Sequence, residues 1–314
     1  MMWEAISANK RRSALLIVSL AALLALMGMA IGFLMGGKPQ TAYFGAFIGM
    51  CIWGAMLLVN MMGGESVLLS SASAREVAHD EAPQLYNVVE EMRIAASLPA
   101  MPRVFIIDTP VPNAFAVGLK PERACVAVTT GLLERLNRDE LQGVIAHELG
   151  HISNRDTLFM TLAGVTLGAI VLLADAGMRM LFWGGGGRRR SSSSSGKGGG
   201  AAAILMIAAL VLAILAPILA RLLYFACSRQ REYLADASAA QYTRYPAGLA
   251  NALRKIALQQ NPQKIPVNRV VAPMYAINPL AAAGSASIFG THPPTEERIR
   301  RLMEMQGVAP TAGG

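Results

Sequence analysis

Residues 137–154 read NRDELQGVIAHELGHISN, and the rest of the chain is best understood outward from them. Asn137 followed three residues later by Glu140 is the pattern of a capping box, in which each side chain satisfies an orphan backbone N–H at a helix start. Leu141, Val144, Ile145, Leu149 and Ile152 then recur at steps of three and four, the apolar stripe of an amphipathic helix. His147 and His151 stand four apart, about 40° past a full turn. Both imidazoles therefore leave one side of the helix and can share a metal ion. Glu148 falls between them, where a carboxylate can reach water bound to such an ion. The chain has only 4 histidines, and its composition gives about 0.002 chance matches to this spacing. Two unrelated surface histidines are a poor explanation of the pattern.

Around this helix, residues 65–156 have the composition of a water-exposed domain. Residues 74–98 read as a helix, with Val77, Leu85, Val88, Val89 and Met92 on its apolar side, stopped by Pro99 and Pro102. Residues 104–108, 114–117 and 125–129 read as short strands, the first two separated by Pro110 and Pro112. Residues 228–242 read as a further, polar helix.

The remainder is apolar. Hydrophobic residues make up 54% of the 314 and charged ones 15%, and the mean hydropathy is +0.41. Four runs approach the ~20 apolar residues that cross a bilayer: 13–34, 41–62, 157–174 and 201–220, the last containing Pro217. A cleaved leader is the other reading of the first run, which follows Lys10-Arg11-Arg12. Its apolar core is too long for that, and a second run follows at once. The net charge of +8 sits beside these runs and in the Gly/Ser-rich loop 184–200, while residues 65–156 are net acidic. Basic residues so placed orient membrane proteins and touch anionic headgroups; without aromatic interleaving they do not point to nucleic acid. Cys51, Cys125 and Cys227 have neither disulfide nor zinc-knuckle spacing.

A catalytic zinc takes three protein ligands and keeps one open position, so a third ligand must come from elsewhere. Asp156 is near in sequence but past the helix end. Glu232 and Asp236, at i and i+4 of a helix, are better placed: one carboxylate for a metal, the other to hold a ligand histidine by its second ring nitrogen. Acids on an ordinary surface helix flanked by Arg229 and Arg231 would look the same.

HELGH at 147–151, SNRD at 153–156, SRQREYLADASA at 228–239 and THPP at 291–294 resemble the HtpX-type membrane zinc metalloproteases, which are related to the CAAX prenyl proteases. The resemblance covers nearly the whole chain. It implies a mostly helical α+β membrane protein, with a zincin-like catalytic domain, a small sheet and about four transmembrane helices. It implies one Zn2+ per chain on His147, His151 and Glu232, with Glu148 as catalytic base and Asp236 orienting His147. His292 and Arg298 match the spacing of a histidine and an arginine that face the active site in the prenyl proteases. Asn113, Ala114 and Phe115 resemble the family's edge strand, along which substrate backbone pairs. The implied activity is endoproteolysis of membrane or misfolded proteins in quality control. Glu148 takes a proton from zinc-activated water and returns it to the leaving amine, and His292 helps to hold the oxyanion.

The expected organisation is a membrane hairpin at 1–64, a first catalytic half at 65–156, a second hairpin at 157–224 and a second catalytic half at 225–314. His151 and Glu232 can share a metal only if the chain between them crosses the bilayer an even number of times. Lys10-Arg11-Arg12 then places the N-terminus and the active site on the cytoplasmic side, although the basic loop 175–200 would lie outside; the resemblance implies that the membrane is a bacterial inner membrane. Expected partners are protein or peptide substrates and the lipid bilayer, with no nucleic acid; the sequence assigns no oligomeric state. A non-proteolytic metal-binding scaffold is the alternative, which the intact Glu148 disfavours. A transporter would need ionisable residues within the spans, and Asp175 stands at the end of one.

Overall fold

The computed structural model of the protein describes residues 2–183, 199–258 and 293–307. Helices α1 (Met2–Gly36), α2 (Pro39–Ser71), α3 (Pro83–Ala95), α4 (Thr130–Leu133), α5 (Arg138–Ser153), α6 (Asp156–Trp183), α7 (Gly199–Thr243), α8 (Pro246–Leu258) and α9 (Thr295–Met305) accompany four strands. These are β1 (Arg75–Glu76), β2 (Arg103–Ile107), β3 (Ala114–Val117) and β4 (Cys125–Thr129). The architecture is the mostly helical α+β membrane fold with a small sheet that the sequence implies. The chain forms two compact units. One is built on Gly63–Met160 and the described residues from Phe225 onward, with the start of α1; the other on Arg11–Met62 and the described part of Thr161–Tyr224.

In the first unit the sheet order is β1-β2-β4-β3. β2 and β4 run parallel, Arg103 opposite Cys125 and Ile107 opposite Thr129. β3 is antiparallel to β4, Ala114 opposite Val128, and forms one edge of the sheet. Alternate residues face opposite ways. Val104, Ala114, Val126 and Val128 join a core with α3, α5, α8 and α9. Phe105, Ile107, Phe115, Val117, Cys125 and Ala127 pack on the other face with Leu69 of α2. β4 is buried at every position, which is why CVAVT reads as a continuous apolar run.

The sequence reading of α5 holds to the atom. Glu140 N–H donates to Asn137 Oδ1 at 2.9 Å and Asn137 N–H donates to Glu140 Oε2 at 2.9 Å, a cap worth about 1 kcal/mol. Leu141, Val144, Ile145, Leu149 and Ile152 are all buried, each contributing about 1.5–3 kcal/mol. Gly143 lets α8 come close: a Cβ there would lie 2.5 Å from the Leu249 nitrogen.

Two boundaries differ from expectation by more than one residue. The helix predicted over 74–98 spans only Pro83–Ala95. Pro83 suits a first turn, where its missing N–H is not needed. Ahead of it Arg75 and Glu76 pair with Ile106 and Phe105, and Arg103 Nε donates to Glu76 at 2.8 Å. The residues before Pro83 are thus claimed by the sheet. The polar helix predicted at 228–242 is not separate from the apolar run 201–220: both lie in the 45-residue α7, with Pro217 inside it.

Three helices among the described residues are long and apolar enough to cross a membrane, at Ala14–Gly36, Pro39–Gly63 and Asp156–Gly177, most of their length belonging to the second unit. The fourth apolar run, 201–220, lies within α7. The α2 window is only 11% buried, and Tyr43, Phe44, Phe47, Leu58 and Val59 stand exposed. Such a surface is intolerable in water and natural in hydrocarbon. α1 and α2 meet backbone to backbone through small residues: a Cβ on Gly32 would lie 2.1 Å from the Thr41 carbonyl oxygen. Trp53 Nε1–H donates to Thr166 Oγ1 at 2.8 Å, joining α2 to α6.

Candidate metal centre

Helix α7 can lie close to α5 because the facing residues are small. A Cβ on Gly150 would be 3.2 Å from Ser238 Cβ and 3.4 Å from the Ala235 oxygen, and Ala235 and Ala239 are buried. Asn154 Nδ2 donates to Ser238 Oγ at 3.1 Å, and Ser153 Oγ meets Tyr242 OH at 2.7 Å. This contact brings Glu232, one turn before Ala235, opposite the two imidazoles.

The Nε2 atoms of His147 and His151 are 3.2 Å apart. Glu232 Oε1 is 3.5 Å from His151 Nε2, and Oε2 is 3.7 Å from His147 Nε2. Tetrahedral zinc bonds of about 2.0–2.2 Å set ligand atoms roughly 3.3–3.6 Å apart, so these three groups fit that ion. Among the described residues, they are the set of metal-binding side chains whose donor atoms converge.

The remaining ring nitrogens are also engaged. His147 Nδ1 is 3.0 Å from Asp236 Oδ1, and His151 Nδ1 is 3.1 Å from Asp156 Oδ2. A carboxylate beside Nδ1 accepts its N–H, which leaves the Nε2 lone pair facing the centre. Two such lone pairs at 3.2 Å repel unless a cation or proton lies between them. Each aspartate has its own arginine. Arg298 grips Asp236 with Nε at 2.9 Å and Nη2 at 2.7 Å, a bidentate pair, and its Nη1 is 3.2 Å from Glu232 Oε2. Arg231 Nη1 donates to Asp156 Oδ1.

Burial and charge oppose each other here. Burial lowers the proton affinity of His147, but Asp236 and Glu232 outweigh it and hold the imidazole up at about 9. His151 is likewise raised, burial being overcome chiefly by Asp156. Burial would raise Asp236; Arg298 and His147 bring it down to about 2. Glu148 goes the other way, raised chiefly by burial.

Glu148 Oε2 accepts the Ala116 N–H at 2.9 Å, which ties the HExxH helix to the edge strand. The residues predicted to bind substrate lie at the start of that strand. Asn113 precedes β3; its N–H donates to Thr129 Oγ1 at 2.8 Å and its carbonyl accepts the Thr129 N–H at 2.9 Å. Ala114 and Phe115 are buried in the cores on opposite sheet faces.

The structure thus brings together His147, Glu148, His151, Glu232, Asp236 and Arg298. His292 lies outside the described residues. Two members of the cluster were not among the predicted site residues, Asp156 and Arg231. Asp156, expected past the helix end, opens α6, and the left-handed Arg155, φ 59°, folds it back toward His151. Arg231, which read as a surface residue, is 2% exposed. Its adjacency to Glu232 was the one signal available.

Comparison with known proteins agrees with this geometry. Peptidase family M48 matches residues 79–306. A protein named Protease HtpX homolog from Streptococcus pyogenes serotype M28 is 45% identical over 305 residues, covering 97% of this chain and all of the relative. The homolog of that name from Dictyoglomus turgidum is 48% identical over 239 residues, 76% of this chain and 75% of the relative. Among solved structures, Ste24p of S. mikatae shares the fold with a TM-score of 0.50 at 18% identity, over 96% of this chain and 66% of that one. With apolar spans, a converging His–His–Glu set and a family match over most of its length, this membrane metalloprotease, whose substrates are peptides or proteins, belongs to peptidase family M48.

Proposed function

We propose that the chain is a zinc-dependent endopeptidase of a bacterial inner membrane, cleaving membrane or misfolded proteins on the cytoplasmic side as part of protein quality control. In this reading, residues 1–64 and 157–224 form two membrane hairpins, and 65–156 with 225–314 form the catalytic domain. Lys10-Arg11-Arg12 supports the orientation. The bacterial relatives named HtpX support the setting.

One observation carries the chemistry: two imidazole Nε2 atoms stand 3.2 Å apart, each with a Glu232 oxygen 3.5–3.7 Å away, and both imidazoles are turned by carboxylates so that Nε2 faces inward. His147, His151 and Glu232 would hold one zinc ion per chain. When bound, zinc polarises a peptide carbonyl and makes water more acidic. Asp236 and Asp156 keep Nδ1 protonated on the two ligand histidines. Glu148 takes the proton from water and delivers it to the leaving amine; burial favours the first transfer, and the Ala116 N–H holds the carboxylate in place for both. Substrate backbone adds to the β3 edge at Asn113–Phe115, beside the strand position that holds Glu148. His292 steadies the oxyanion, and Arg298 braces Glu232 and Asp236.

Glu148→Gln tests this reading. Hydrolysis of casein by the detergent-solubilised protein is expected to fall at least about 10²-fold, while bound zinc stays at one per chain. Undiminished cleavage with zinc in place would remove Glu148 from its role.

A further inference from the structure

We infer that Arg231 and Asp156 are a positioning pair for His151, the counterpart of Arg298 and Asp236 at His147, so that the two helices α6 and α7 must be in register for the metal centre to form. The inference rests on the ligand assignment proposed above. Asp156 is the first residue of α6 and 1% exposed. One of its oxygens accepts from His151 Nδ1 at 3.1 Å, and the other holds Arg231 Nη1. Arg231 stands on α7 immediately before Glu232, so one helix supplies both the third ligand and the brace for the second imidazole. The guanidinium lies over the Phe159 ring of α6, 4.9 Å from its centroid.

The physical need is clear. With Arg231 on one oxygen of Asp156, the other is held facing His151 Nδ1. That contact fixes the Nδ1–H tautomer and turns Nε2 toward the position a metal would take. Three features converge on this carboxylate: the left-handed turn at Arg155, the Arg231 ion pair and the Phe159 ring that backs the arginine. The two Arg–Asp–His chains have different origins. Arg298 comes from α9 and also touches Glu232, whereas Arg231 and Asp156 sit on the helices that run on into the apolar segments of the chain. Neither acts on the reacting atoms; both act through His151.

Zinc affinity of the full-length protein in detergent, read by competition with a chromophoric chelator, tests the pair. Asp156→Asn and Arg231→Gln are each expected to weaken zinc binding about 10–100-fold. The double variant should be no weaker than the worse of the two, because both changes act through one imidazole. Arg231→Gln combined with Asp236→Asn should instead multiply the separate losses, since these act on different imidazoles. Arg231→Lys, which keeps the charge, should recover most of the affinity. A general loosening of the fold would multiply in both combinations, so the contrast between them isolates positioning. The double variant leaves no lone buried charge and carries the test if a single variant fails to fold. Wild-type zinc affinity in the double variant, or simple multiplication within it, overturns the inference. His151→Ala separates this failure from that of the ligand assignment: if it abolishes zinc binding while the pair variants bind normally, only the pair is wrong. If it leaves affinity unchanged, the assignment and the inference fall together.

Discussion

Glu232, Asp236, Asp156 and the arginines Arg298 and Arg231, packed around two imidazoles, set what the centre can bind. The carboxylate of Glu232 lies within 3.7 Å of both Nε2 atoms and is itself buried, so no neighbouring water-borne group replaces it cheaply. Glu232→Ala is expected to lose zinc on mild chelation that leaves the wild type loaded, as measured by metal analysis; full retention would place the third ligand elsewhere. A second residue-scale expectation concerns Cys125. Burial pushes its thiol up to about 11, so at pH 8 it is almost wholly protonated, and thiolates are the reactive form. Iodoacetamide at pH 8 should leave the peptide containing Cys125 unmodified in the folded protein and alkylate it after denaturation, as read by mass spectrometry. Fast labelling in the folded state would contradict the packing of β4.

At the scale of elements, α5 performs two tasks on adjoining faces. His147, Glu148 and His151 point to the candidate centre and the β3 edge, while Leu141, Val144, Ile145, Leu149 and Ile152 join the buried core with the sheet and α8. Ile145→Ala is expected to cost about 2–5 kcal/mol, seen as a lowered melting temperature of the zinc-free protein. Ile145 lies 0% exposed, so a negligible change would mean that α5 is not packed as described. The α1–α2 contact is governed by a different requirement, absence of bulk. Gly32→Leu would drive a side chain into the Thr41 carbonyl, 2.1 Å from where its Cβ must go. The hairpin should separate, giving a marked loss of folded protein in membranes by fluorescence-detected size exclusion, whereas Gly54→Leu, with nothing within 4 Å of its Cβ, should be tolerated.

On the scale of the whole molecule, the proposed metal centre would draw its ligands and braces from α5, α6, α7 and α9, so filling it would join segments far apart in sequence. A ligand that binds only the folded state stabilises it by mass action, about 4 kcal/mol at a thousand times its dissociation constant. Stripped wild-type protein should therefore show a melting temperature several degrees higher on adding zinc. Glu232→Ala should show no such rise. An equal rise in both would mean that zinc acts somewhere other than this centre.

Much of this was legible in the chain because it is written in local periodicity. The capping box and stripe of α5, β3 and β4 to the residue, the apolar runs and the HExxH pair all rest on neighbours within a few positions of one another. The same local logic over-extended the helix at 74–98, because the pairing of Arg75 and Glu76 with β2 is a long-range event that outweighs helix propensity ahead of Pro83. The resemblance of 228–239 to a known family pointed to Glu232 where spacing left it undecided. What only the tertiary structure decided is which charges are buried together. Asp156 and Arg231 are separated by 75 positions and carry no periodic signature. The left-handed turn at Arg155 and the small-residue contact between α5 and α7 join them, and burial there makes an ion pair necessary that on a surface would count for little.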